Sequence, residues 1–164
     1  MTWATDRLEA LKAGDMTVPP VVTTLKLGTL DDWGSGWVRK TWQPAPEVMN
    51  GDGSMFGGYL AALADQILTF AAMTVVPDHA HFRTINLQMS FMKVGAARPL
   101  TLEGRVIAST RQLITVEADF RREDGELIAR AAAQQILFPK VRPDHPEVGT
   151  GSAARQAPLL GSGG

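Results

Sequence analysis

Asp65 is the only charged residue between positions 55 and 76, in a run that is otherwise apolar or small and opens on the pair Gly57-Gly58. A carboxylate can serve as base or nucleophile, and surroundings that exclude water disfavour its charged form, which is one way to make a base. At about 100° per residue, Gly58, Ala61, Ala62, Thr69 and Ala72 share the helical face of Asp65. Phe56, Leu60, Leu63, Ile67 and Phe70 form a bulky stripe on the opposite side, suited to packing on a sheet. An exposed helical acid needs no special cause, but a solvated face of this length should carry several Lys, Glu or Gln. Glycine, alanine and threonine instead fit a surface that another backbone or a ligand covers closely. Gly57-Gly58 reads in two ways. The pair can be turn glycines or a loose cap, or it can offer helix N-terminal N–H groups to an oxyanion without a Cβ in the way.

Gly57 and Asp65 stand eight residues apart, so one helix separates them by about 12 Å. An oxyanion donor and a base must both reach one carbonyl group at about 3 Å. Two helices antiparallel across a two-fold axis can bring Gly57 of one chain to Asp65 of another, which predicts a dimer as the catalytic unit.

The elements around this helix follow from pattern. Residues 5–13 read as a short helix, with Asp6 and Glu9 at capping-box spacing, Leu8 and Leu11 on one face and Gly14 as the stop. Residues 23–30 and 37–42 read as two strands joined by the turn-rich 31–36, and residues 43–54 as a loop. After the long helix, 84–92 alternates: Ile85, Leu87, Met89 and Phe91 on a buried face, Thr84, Asn86, Gln88 and Ser90 on the other. Residues 99–109 and 113–121 are further strands, and Asp124-Gly125 turns the chain into a return strand over 127–138. The order predicts an α+β fold, an antiparallel sheet wrapping one central helix. The expected division is an N-terminal helix and linker over 1–24, one domain over 25–139, and a flexible tail over 140–164, rich in Pro, Gly, Ser and Ala.

Composition narrows the function classes. With 164 residues the chain is one domain in size, and a net charge of −1 gives no reason to expect nucleic acid or an anionic membrane as partner. The absence of cysteine excludes disulfides and thiolate chemistry, and the first residues lack a signal-peptide pattern, so a cytoplasmic location is expected. Asp65, Gln66 and the glycine pair argue against reading 55–76 as a membrane span. His79, His81 and His145 are too scattered for a metal site; His79 and His81 fall in the loop after the long helix, where they read as surface histidines, with an approach to the pocket as the alternative.

The stretch "NGDGSMFGGYLAALADQ" resembles the hotdog-fold acyl-CoA thioesterases, particularly the phenylacetate-pathway (PaaI-like) branch. The similarity continues through "RTINLQMSFMK", "PLTLEGRVI" and "FRREDGELIARAAAQQILF", covering about 25–139. It implies a hotdog fold, a homodimer that often pairs into a tetramer, and hydrolysis of an acyl-CoA thioester with no separate cofactor. It also implies Asp65 as base or nucleophile, Gly57 as oxyanion donor, Asn50 as the amide orienting the thioester, and Thr84 as a hydroxyl orienting water. Phe56, Gly58, Thr69 and Arg111 are the candidate substrate contacts, Arg111 as one of the cations near coenzyme A phosphates together with Lys93, Arg121 and Arg122. One departure stands out: the branch usually has His where this chain has Phe56, which removes a hydrogen-bonding side chain beside the oxyanion site. Hydroxyacyl dehydration and a non-catalytic acyl-binding or structural module are the competing readings. The former needs a His with the carboxylate, and none stands on this helix.

Overall fold

The computed structural model describes residues 1–140. The expected tail therefore lies outside the described residues except for Lys140, whose N–H donates to the His79 carbonyl at 3.0 Å. Helix α1 spans Trp3–Ala13. It starts two residues before the expected position because the capping box is Thr2 with Thr5, not Asp6 with Glu9. Gly14 ends it at φ 75°, and Leu8 and Leu11 are buried as the pattern predicts.

The strand expected over 23–30 does not form. Pro20–Thr24 is a short helix, α2, with proline at its first turn, and the chain then runs irregularly to residue 30. Side chains rather than a neighbouring strand satisfy its carbonyls. Tyr59 Oη donates to Leu25 O and Lys26 O, Lys40 Nζ to Leu27 O, and Gln66 Nε2 to Gly28 O at 2.8 Å. The predicted hairpin exists one step later: β1 (Asp32–Gly34) lies inside the stretch read as turn and pairs with β2 (Trp37–Trp42), Gly36 turning the chain at φ 82°.

Helix α3 covers Gly57–Met73, and the remaining strands are β3 (Ala80–Phe91), β4 (Leu100–Ser109), β5 (Leu113–Arg121) and β6 (Leu127–Pro139). They form one six-stranded antiparallel sheet in the order β1-β2-β4-β5-β6-β3. The sheet faces α3 with Leu102, Val116, Phe120 and Ile128, against Leu60, Leu63, Ile67 and Phe70. Phe56 leaves the predicted stripe: it caps the helix N-terminus and is 55% exposed. Among the described residues no helix is long and apolar enough to cross a membrane.

Strand β3 corrects the strict alternation. Residues 84 and 86 oppose the adjacent Gln135 and Gln134, so Ile85 is an extra residue, a β-bulge. Beyond it Leu87, Met89 and Phe91 pair with the inward-facing Ala133, Ala131 and Ala129, as the alternation requires. Met89 packs against the core, but Leu87 and Phe91 stay partly uncovered (37% and 54% exposed) because β3 is the sheet edge.

Lys40 sits in the core at 1% exposure, its Nζ donating to Gln66 Oε1 at 2.6 Å as well as to Leu27 O. Burial lowers its pKa from 10.5 to about 8, against a smaller upward pull from Asp31. Below pH 8 both folded and unfolded chains carry the proton. Between pH 8 and 10.5 the unfolded chain binds more, so stability rises with pH across that window. Comparing chemical denaturation of wild type and Lys40→Met at pH 7.5 and 10.5 should show a gain on the order of 3 kcal/mol that only the wild type makes. Tyr59, whose phenol burial pushes up, is present in both proteins and cancels. Equal pH dependence in the two would refute the assignment.

Candidate active site

Asp65 is exposed on α3, on the side away from the buried stripe. The bulge at Ile85 turns Thr84 toward it. In an unbroken strand Thr84 would share the outward face of Asn86, Gln88 and Ser90; with one residue inserted it points to the helix side together with Leu87. Its Oγ1 lies 3.0 Å from Asp65 Oδ1 and 3.0 Å from Gln135 Oε1. Asp65, Thr84, Gln135, Thr69, His81 and Arg7 border one cavity of about 320 Å³. Asp65 and Thr69 also border a second cavity, of about 310 Å³, on the side of residues 18–28.

The glycine pair stands at the other end of the exposed helix face. Gly57 and Gly58 are the first two residues of α3, Phe56 provides no side-chain cap, and the first N–H accepted within the turn is that of Tyr59, by Phe56 O at 3.0 Å. The neighbours of both glycines are the ends of exposed aromatic rings, which can shift. A Cβ at Gly58 would lie 2.8 Å from Phe56 Cε1, and one at Gly57 3.1 Å from Phe91 Cζ. Phe56 and Gly58 share a cavity of about 290 Å³ with Ala62 and Leu25. Asn50 holds the preceding loop: its Nδ2 donates to Ser54 Oγ at 2.9 Å and to Met55 O at 3.3 Å, two residues before Gly57.

The structure thus gathers Asp65, Thr84 and Thr69 in one place, and Gly57, Gly58, Phe56 and Asn50 in another. A single chain does not unite them, since eight helical residues span about 12 Å. Arg111 is apart from both, on the exposed turn between β4 and β5. Of the four cations noted in the sequence, Lys93 and Arg122 are paired with Glu126 and Arg121 with Asp119. Arg111 is the one without a carboxylate partner among the described residues.

Three further residues border the cavity of Asp65 and Thr84, and only the fold places them. His81 is in β3, not on a loop, and is half-buried edge-on against Trp3 with ring centres 5.2 Å apart. Arg7 arrives from α1, which no local pattern could place. Gln135 had a signal: of two adjacent glutamines in an alternating strand, one must face the core, and a buried amide there needs a reason.

That amide is fully buried, and its Nε2 has no partner among the described residues. The single hydroxyl proton of Thr84 cannot serve both Gln135 Oε1 and Asp65 Oδ1. With the amide turned so that N–H faces Thr84, Gln135 donates to the hydroxyl and Thr84 donates to Asp65, so that the amide nitrogen is no longer wholly without a partner. Neutron diffraction from a deuterated crystal should find deuterium on the Gln135 atom nearest Thr84; an oxygen there would reverse the chain of donors. Thr84→Val should cost about 1–3 kcal/mol through the stranded amide, with Thr84→Ser close to wild type.

Residues 52–129 match the family described as the thioesterase superfamily. A curated protein of Saccharolobus solfataricus, named as an esterase, is 33% identical over 91 residues, which are 55% of this chain and 64% of that protein. A crystal structure of a phenylacetic acid degradation-related protein from Ralstonia eutropha, described as a thioesterase, superposes with a TM-score of 0.70 at 24% identity, over 79% of this chain and 98% of that one. A Streptococcus pneumoniae protein described as a thioesterase, solved with coenzyme A, superposes with a TM-score of 0.60 at 21% identity, over 68% of this chain and 85% of that one. At these identities the structures share the fold, and the fold is the hotdog.

Proposed function

We propose that this protein, whose residues 52–129 match the thioesterase superfamily, hydrolyses the thioester of an acyl-CoA or related conjugate at a site shared by two copies of the chain. The observation that carries the reading is Asp65, held by the Thr84 hydroxyl at the boundary between two cavities. Asp65 acts as base on a water that adds to the acyl carbon, or as nucleophile on that carbon, forming an acyl-aspartyl anhydride that water then cleaves to the free acid and Asp65 carboxylate. The carbon–sulfur bond breaks and the departing thiolate takes up a proton. Negative charge on the carbonyl oxygen is received by the Gly57 N–H of the second copy, at the positive end of its helix. Asn50 helps orient the thioester by exchanging its longer bond to Met55 O for the substrate carbonyl. Gly58, Phe56 and Thr69 contact the substrate, and Arg111 meets the coenzyme A phosphates.

Edge strand β3 supports the second copy. Ile85 is 56% exposed, beside Leu87, Phe91 and Met92, and an apolar edge of this kind invites pairing with its own copy. Pairing of two such dimers gives the proposed tetramer. An acyl-binding module without turnover is the second reading, favoured by the exposed Phe56 ring over Gly58 where the branch has His.

Assays over a panel of acyl-CoAs separate the two. Asp65→Asn should lower kcat by about 10²–10⁴-fold while shifting stability by less than about 0.5 kcal/mol. Wild-type protein that turns over no thioester, or a variant as fast as wild type, would overturn the catalytic reading. Sharing is tested by complementation. Gly57 is the first residue of α3 and follows a residue at φ −70°, ψ 122°, so Gly57→Pro deletes its N–H while suiting the helix start. Each variant alone should be nearly inactive, and a 1:1 refolded mixture should regain about a quarter of wild-type activity through mixed dimers with one intact site. No recovery in confirmed mixed dimers would place the whole site in one chain.

A further inference from the structure

The cavity of about 310 Å³ beside Asp65 is roofed by Val18, Val22 and Leu25 and floored by Phe70 and Met73. None of the roof belongs to the segment matched by the family, which begins at residue 52. Among its polar lining groups, Gln66 is committed on both sides, to Lys40 and to Gly28 O, and Arg7 stands exposed at the rim. The neighbouring cavity across Asp65 is polar by contrast, with Arg83, Thr84, Gln135 and His81.

We infer that residues 18–25 form an acyl pocket for an unsubstituted aliphatic chain, and that they set the chain length the protein accepts. The inference rests on the thioesterase reading, since it locates the acyl carbon at Asp65. A thioester carbonyl there has apolar room on one side and polar room on the other. The anionic coenzyme cannot occupy the apolar side without stranding its charges, so the acyl group does. A hydroxyl or carboxylate far along the chain would meet the same cost among Val18, Val22 and Phe70. The volume is at the low end for small-molecule sites, so the far wall is reached by a chain of moderate length. The roof is held in place by its own helical turn, with Val22 N–H donating to Pro19 O, Leu25 N–H to Val21 O and Leu27 N–H to Val22 O, and it is anchored at its end where Tyr59 donates to Leu25 O. Binding therefore does not bear the cost of ordering it.

Calorimetric titration of the full chain with S-alkyl-CoA thioethers tests this without requiring turnover. For wild type, Kd should fall about fourfold per added methylene and then level off as the cavity fills. Val22→Trp should move the plateau to shorter chains, and Val22→Ala to longer ones, with S-methyl-CoA bound equally by all three. A plateau at the same length in all three proteins overturns the inference, as does tighter binding of an ω-carboxyl analogue than of its alkyl counterpart. Thioether binding with these shifts but no hydrolysis by wild type would keep the pocket and sink the enzyme.

Discussion

The fold depends on how closely α3 can approach the sheet. At Gly104 of β4 the helix backbone comes so near that a Cβ would lie 2.9 Å from the Ile67 carbonyl oxygen, 3.1 Å from Val38 and 3.2 Å from Ala71. Contact at that range leaves no space for water or a second layer, so Leu63, Ile67 and the facing Leu102 and Val116 of β4 and β5 are wholly buried. Two faces of α3 then have different fates. One is consumed by the sheet; the other, lined with small residues and Asp65, is left for whatever lies above it.

Much of this is legible in the sequence because it rests on period. The long helix, β4, β5 and β6 and the Asp124-Gly125 turn follow from apolar spacing and turn chemistry, and the structure has them within a few residues. Where side chains replaced backbone pairing, the pattern misled. Residues 23–30 look like a strand, yet their carbonyls are held by Tyr59, Lys40 and Gln66, residues 13 or more positions away that no local rule connects. The bulge at Ile85 is equally silent, because an inserted residue leaves composition unchanged and only shifts what each letter faces.

The candidate site divides along the same line. Asp65 and Gly57 announce themselves by being unlike their surroundings. Thr84 was in the right strand but on the wrong face, and Gln135 became visible as a partner only when β3 and β6 were side by side. Arg7 and His81 depend on α1 docking through Trp3, whose Nε1 donates to Ala80 O at 3.0 Å. Local rules name residue types, whereas the site is made by long-range pairing.

Strand β3 touches both halves of the candidate site: Thr84 meets Asp65 near one end, and Phe91 lies against Gly57 at the other. Its span is thus fixed against the span of α3, like two rails pinned at both ends. Side chains between the pins can vary, but adding or deleting a residue there would slide one contact off its target. Sequence drift in this protein should accumulate in the letters of β3 and leave its length untouched.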